Sequence, residues 1–338
     1  MIAEVAVRER GRIDRRVGVL AVVWLAAAGP LAAMLLLGAT GPDRFPVPRG
    51  VLHAAYALAL VSYLACRGPS LPQLPESPLG NAANTLPGRL ATTTAALVLC
   101  LVGLLDAGLF MLVLVVVALV LAVTWRRQLT LRAGVLGLVA SALAFLASGI
   151  TFWRHNFVAK PMLVLMLVAI PPMFVAAGML VARTGLGAVR VLEGRYGAAA
   201  RSFLAGVVLF APLGLANAAS RARFGPAWVD QWWQPLVLPV WSGIVEEVVF
   251  RAVLVCLLFA LLQPALKRAP GAGIATAVLV SAIVFGLGHG QTVDNLLSAG
   301  LGFGLPMAVI FVRRDWEHAV GAHYMVNFVP WLMALLAR

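Results

Sequence analysis

The stretch WSGIVEEVVFR, residues 241–251, sits inside an apolar run that extends over residues 236–262. A helix needs about 20 such residues to cross a bilayer, so the run reads as a transmembrane helix. Inside it stand two adjacent carboxylates, Glu246 and Glu247, and one guanidinium, Arg251. Each ionisable side chain at the centre of a bilayer costs roughly 2.5–3.5 kcal/mol on insertion scales. A chain that keeps three of them so close together has a use for them. Glu247 and Arg251 are four apart and share a helix face, with the acid on the favourable amino-terminal side. Glu246 points about 100° round the helix from Glu247. The spacing therefore predicts a structural Glu247–Arg251 pair, with Glu246 facing a cavity as a general base.

The rest of the chain shares this apolar setting. Of 338 residues, 62% are hydrophobic and 12% charged, and the mean hydropathy is +0.96. A soluble domain is nearer half apolar and a quarter charged. Apolar runs near twenty residues recur along the chain, which predicts an all-α polytopic integral membrane protein of about 11 transmembrane helices. The net charge of +13 would suggest a nucleic-acid partner in a soluble protein. Here the arginines fall in short loops between apolar runs, the positive-inside pattern, and no nucleic-acid binding is expected. The partner is instead the lipid bilayer. Cys66, Cys100 and Cys256 lack metal-ligand spacing and read as small core residues.

Taken in order, the Arg-rich start precedes a run at 17–37, too long for a signal-peptide core, so the amino terminus is expected in the cytoplasm. A second span is expected at 51–66, and five prolines within 67–89 mark a loop. The run at 90–125 is too long for one crossing and divides at Asp106-Ala107-Gly108 into a tight hairpin. Spans at 133–150 and 161–182 follow, the latter expected to bend or break at Pro171-Pro172. Residues 183–201 mix arginines with Leu186, Val189 and Leu192, which fits a short interfacial amphipathic helix or an ordinary basic loop. After a span at 203–219, Trp228, Trp232 and Trp233 read as an interfacial belt. The last four spans are 236–262, 272–288, 296–312 and 318–336. This divides the chain into amino-terminal helices of unassigned role, residues 1–202, and a carboxy-terminal transmembrane core, residues 203–338.

Two of those last spans carry further polar residues. His289 follows Phe285 by four, and Asn327 follows His323 by four. A lone intramembrane His is usually a helix–helix hydrogen bond, but Glu246, His289, His323 and Asn327 together form a chemical set. A carboxylate and an imidazole can share a water and take its proton. A second His with an Asn one turn on offers two donors for an oxyanion. His53, His155 and His318 lie at span ends or in loops and call for no special role.

The series EExxxR (Glu246, Glu247, Arg251), FxxxH (Phe285, His289) and HxxxN (His323, Asn327), in this order on carboxy-terminal helices, resembles the CAAX protease and bacteriocin-processing family. That family consists of intramembrane glutamic endopeptidases. The resemblance covers about the last third of the chain. It implies that Glu246 and His289 activate water, that His323 and Asn327 stabilise the oxyanion, and that Glu247, Arg251 and Phe285 support the site. It implies no metal and no cofactor. The glycines at 300, 302 and 304 and Pro306 suggest a broken or wide-set helix lining the cavity. The Arg- and Ala-rich, Lys-poor composition looks bacterial, which favours the inner (plasma) membrane and a peptide or membrane-protein substrate. The alternatives are a non-catalytic scaffold or immunity protein of the same fold and a proton-coupled transporter. A zinc peptidase is disfavoured because no HExxH occurs and Arg251 would repel the ion.

Overall fold

The computed structural model describes residues 79–155, 160–221 and 231–336. The expected spans at 17–37 and 51–66 lie outside the described residues, as do Trp228 and most of the proline-rich segment. Among the described residues the regular elements are all helical, and they fall into two compact units. One unit consists of Pro69–Leu204 with Val240–Gly321, and the other includes Ala205–Pro239 with Ala322–Arg338.

The larger unit opens with a hairpin. Helix α1 covers Leu86–Leu105 and α2 covers Ala107–Thr124, with Asp106 alone between them. The Asp106 backbone is extended, and its carboxylate accepts the N–H of Leu109 at 2.7 Å, capping α2. An acid next to Ala-Gly thus ends one helix and starts the next. Leucines and valines such as Leu97, Leu101, Leu112 and Val116 stand exposed on both helices, as suits a surface solvated by lipid.

Helices α3 (Leu131–His155) and α4 (Lys160–Thr184) pack side by side. Of the two outcomes expected at Pro171-Pro172, a bend or a break, the break does not occur: α4 continues through both prolines. Pro171 has no N–H to offer the carbonyl four residues back, which is that of Leu167. Ser141 Oγ on α3 donates to this carbonyl at 2.7 Å, so a neighbour replaces the missing bond.

The 183–201 segment is not an interfacial helix. Gly185, Gly187 and Gly194 take positive φ and fold it into turns. At Gly187, with φ of +64°, a Cβ would also lie 2.7 Å from the Phe311 ring, so no side chain fits. Arg190 leaves the surface to meet Asp315, Nε to Oδ2 at 2.6 Å. Ser202 Oγ donates to the same oxygen at 3.0 Å, and His318 donates to Oδ1 from its backbone N–H at 2.9 Å and from Nδ1 at 2.8 Å. His318, expected to play no special part, is therefore half of a clamp on a buried acid.

Burial alone would raise the Asp315 pKa, but the bonds from His318 and Arg190 outweigh it and hold the carboxyl at about 2 against 3.8. A depressed carboxyl stabilises the fold fully above its unfolded pKa and loses that contribution as pH falls through the folded value. Asp315 should contribute about 2 kcal/mol above pH ~4, lost by pH ~2. Thermal melting in detergent between pH 5 and 2 should show this loss, and Asp315→Asn should flatten the dependence.

Helix α5 covers Tyr196–Arg221. The stretch quoted first lies in α6, which is α-helical over Gln234–Glu246, π-helical over Glu247–Val255 and α-helical again over Cys256–Leu262. The single regular α-helix expected over 236–262 is thus corrected. Helix α7 covers Pro270–Gly288. Helix α8 starts at Val293–Asn295, is π-helical over Leu296–Gly304 and ends as α-helix over Leu305–Arg313. Helix α9 covers Trp316–Leu336.

Seven helices among the described residues are long and apolar enough to cross a membrane, as expected of a multi-pass membrane protein. They fall short of the eleven spans expected. Two of those lie outside the described residues, α6 is divided by its π segment, and α3 offers only the shorter apolar stretch Leu131–Ala147.

In the smaller unit, α5 and α9 approach so closely at Gly214 that a Cβ there would lie 2.6 Å from the Met325 carbonyl oxygen. Pro330 leaves the Val326 carbonyl without its helical donor. Asn217 Nδ2, buried on α5, donates to it at 2.8 Å. Asn217→Leu would leave that carbonyl unsatisfied, a loss of about 1–3 kcal/mol, read as a lower melting temperature in detergent. Asn217→Gln should not restore it, because the longer chain does not fit the same gap.

Candidate active site

The π segment of α6 begins where the two glutamates stand. Wide turns of this kind occur often at functional sites. Glu247 and Arg251 are both fully buried, with Arg251 Nε 3.2 Å from Glu247 Oε2. Two buried opposite charges at this distance hold one another where neither could stand alone. The guanidinium is further framed by the Gly304 carbonyl at 3.4 Å and Met307 Sδ at 3.6 Å from Nη2. Its Cζ lies 4.3 Å from the Phe285 ring centroid, a cation–π contact across to α7.

Phe285 carries this frame to His289. Their rings are 4.6 Å apart, and Phe250 packs edge-on to Phe285 at 5.2 Å. The His289 ring is fixed at its other side as well, because Nδ1 lies 2.9 Å from the Phe285 carbonyl oxygen. A carbonyl can only accept, so Nδ1 carries a proton, and in the tautomer that acts as a base Nε2 keeps its lone pair. Nε2 faces Glu246 Oε2 at 3.8 Å. Two acceptors at that separation do not bond directly; a water that donates one proton to each would fit both.

Glu246 is 17% exposed and His289 40%. Both line a cavity of about 290 Å³. Trp241, Val245, Val249 and Phe250 of α6 and Val284, Phe285 and Gly288 of α7 supply one side, and Gly103, Phe110, Met111 and Val115 of the hairpin the other. Among the described residues of that lining, Glu246 and His289 are the ionisable ones. Trp232, expected at the interface, is 73% exposed.

The close approach of α7 and α8 sets where His289 stands. A Cβ at Gly286 would lie 2.7 Å from Gly300 Cα, and one at Gly300 would lie 2.9 Å from the Ala282 carbonyl oxygen. The glycine-rich segment is wide-set, as the sequence suggested. Its glycines serve helix–helix contact, however, and the segment is not part of the cavity lining. Gly300→Leu should force the helices apart at about 1–3 kcal/mol. Its readout is reduced activity together with a lowered melting temperature.

In the smaller unit, His323 and Asn327 stand four apart on α9. His323 is buried at 4% exposure and Asn327 is half-buried. The Asn217 bond to Val326 fixes the backbone between them.

Residues 227–329 match the family model described as type II CAAX prenyl endopeptidase Rce1-like. The similarity is to the CAAX protease and bacteriocin-processing family and covers this segment, about a third of the chain. No curated protein and no solved structure matches the chain. The matched segment holds every residue of the three sequence motifs, from Glu246 to Asn327.

Other residues that shape the matched segment were not singled out by the motifs. Asn217 precedes the matched residues, and its only signal is a lone amide in an apolar run. Gln291 Nε2 reaches the Leu104 and Leu105 carbonyl oxygens at 3.4 and 3.1 Å, tying the turn after His289 to the end of α1. Ser281 Oγ donates to the Phe250 carbonyl at 2.6 Å, within the π segment.

Proposed function

We propose that the protein is a glutamic intramembrane endopeptidase that cleaves a membrane-associated peptide or protein, with its amino terminus in the cytoplasm. The observation that carries the reading is the Glu246–His289 apposition at 3.8 Å in the wall of an otherwise apolar cavity. A water bridging the two would lose one proton to the pair as its oxygen attacks the substrate carbonyl carbon. His323 and Asn327 donate to the oxyanion of the tetrahedral intermediate. The pair then returns the proton to the amide nitrogen, the C–N bond breaks, and a carboxylic acid and an amine leave. Glu247 and Arg251 keep the reacting side chains in place from behind the cavity, and Phe285 packs against His289 in its wall.

Peptides from membranes of cells carrying wild type or Glu246→Gln should differ by fragments found only with wild type. Those fragments would name the substrate and the bond. Equal peptide sets with equal protein levels would favour the scaffold reading.

A further inference from the structure

The cavity beside Glu246 and His289 is closed by residues that precede the family-matched segment. Ala107, Gly108, Phe110, Met111 and Val115 all belong to the α2 side of the hairpin. The hairpin is firmly seated. At Gly103 a Cβ would lie 2.9 Å from Val284 Cγ1, so α1 packs closely on α7 there. Phe110 is buried and stacks on Phe250 at 6.2 Å, and Gln291 ties the end of α1 to the turn that follows His289. Met111 and Val115 are half-buried and Ala107 is exposed, so these are the wall positions with room to meet a ligand.

We propose that the α1–α2 hairpin is the specificity wall of the site, and that the cavity receives one bulky apolar side chain of the peptide beside the cleaved bond. The assignment rests on the peptidase reading. A charged side chain would find no counter-ion there apart from the two reacting groups, and a neutral polar one would go unsatisfied against Val115, Val249 and Val284. An aliphatic or aromatic side chain gains from burial against the same walls. A pocket of this kind discriminates by size, with roughly 10–200-fold in kcat/KM for each methylene-scale mismatch.

The test uses the full-length chain in cell membranes, comparing peptide fragments from wild type, Glu246→Gln, Met111→Trp, Ala107→Leu and Met111→Ala. Fragments lost in Glu246→Gln define the cut sites, and melting of each purified variant verifies its fold. The wall assignment predicts bulky apolar residues at those sites for wild type. Both filling variants should shift them to small residues by about 10-fold or more, and Met111→Ala should admit larger ones. Cut-site residues unchanged across folded wall variants, with fragments still lost in Glu246→Gln, would overturn the wall assignment and leave the peptidase reading standing. Fragments that survive Glu246→Gln would overturn both.

Discussion

Glu246→Gln is expected to slow peptide cleavage by about 10²–10⁴-fold while the protein accumulates and melts as wild type does. Gln keeps the shape of Glu but cannot take a proton. The fold should tolerate it, because the charge paired with Arg251 is that of Glu247, at 3.2 Å. Glu246 instead stands at the cavity, 3.8 Å from His289 Nε2. His289→Ala should give a loss of the same order, since the imidazole shares the water. Initial rates on the fragment-bearing substrate, with purified protein in proteoliposomes, measure both. A Gln variant within threefold of wild type would remove Glu246 from the chemistry.

The second large effect concerns the neighbouring acid, and it falls on folding. Arg251→Met takes from buried Glu247 the guanidinium it pairs with, which destabilises by about 3–5 kcal/mol. The guanidinium also sits over Phe285 at 4.3 Å and beside the Gly304 carbonyl, so its loss loosens α6 from α7 and α8 together. The double variant Glu247→Leu with Arg251→Met should recover much of the melting temperature, because it removes the stranded charge along with its partner. A double variant no more stable than Arg251→Met alone would show that the pair acts by something other than mutual charge compensation. These two predictions separate the adjacent glutamates: one change removes activity with the fold intact, the other removes the fold.

Much of this division is legible in the sequence because it rests on local spacing. Glu247 and Arg251 are one turn apart, and the hairpin at Asp106 follows from an acid that can cap a helix start within a run too long for one span. Phe285 with His289 and His323 with Asn327 are equally local. What the sequence does not disclose are pairings between distant segments. Asn217 answers a carbonyl freed by Pro330, and Ser141 one freed by Pro171; neither side chain differs locally from any other polar residue in an apolar run. Arg190 looked like one more loop arginine until Asp315 claimed it. The π segments of α6 and α8 also leave no mark in composition, since a widened turn keeps the same apolar residues. Met111 and Val115 read as ordinary lipid-facing positions, yet they line the cavity.

The central proposal is that Glu246 and His289, with His323 and Asn327 as the oxyanion donors, act as one catalytic unit. The most direct test is the cleavage rate of Glu246→Gln, His323→Ala and the variant carrying both. Residues of one unit are strongly non-additive, so the double variant should be no slower than the slower single one. A His323→Ala protein that cleaves at the wild-type rate, or a double variant slowed by the product of the two single effects, would contradict it.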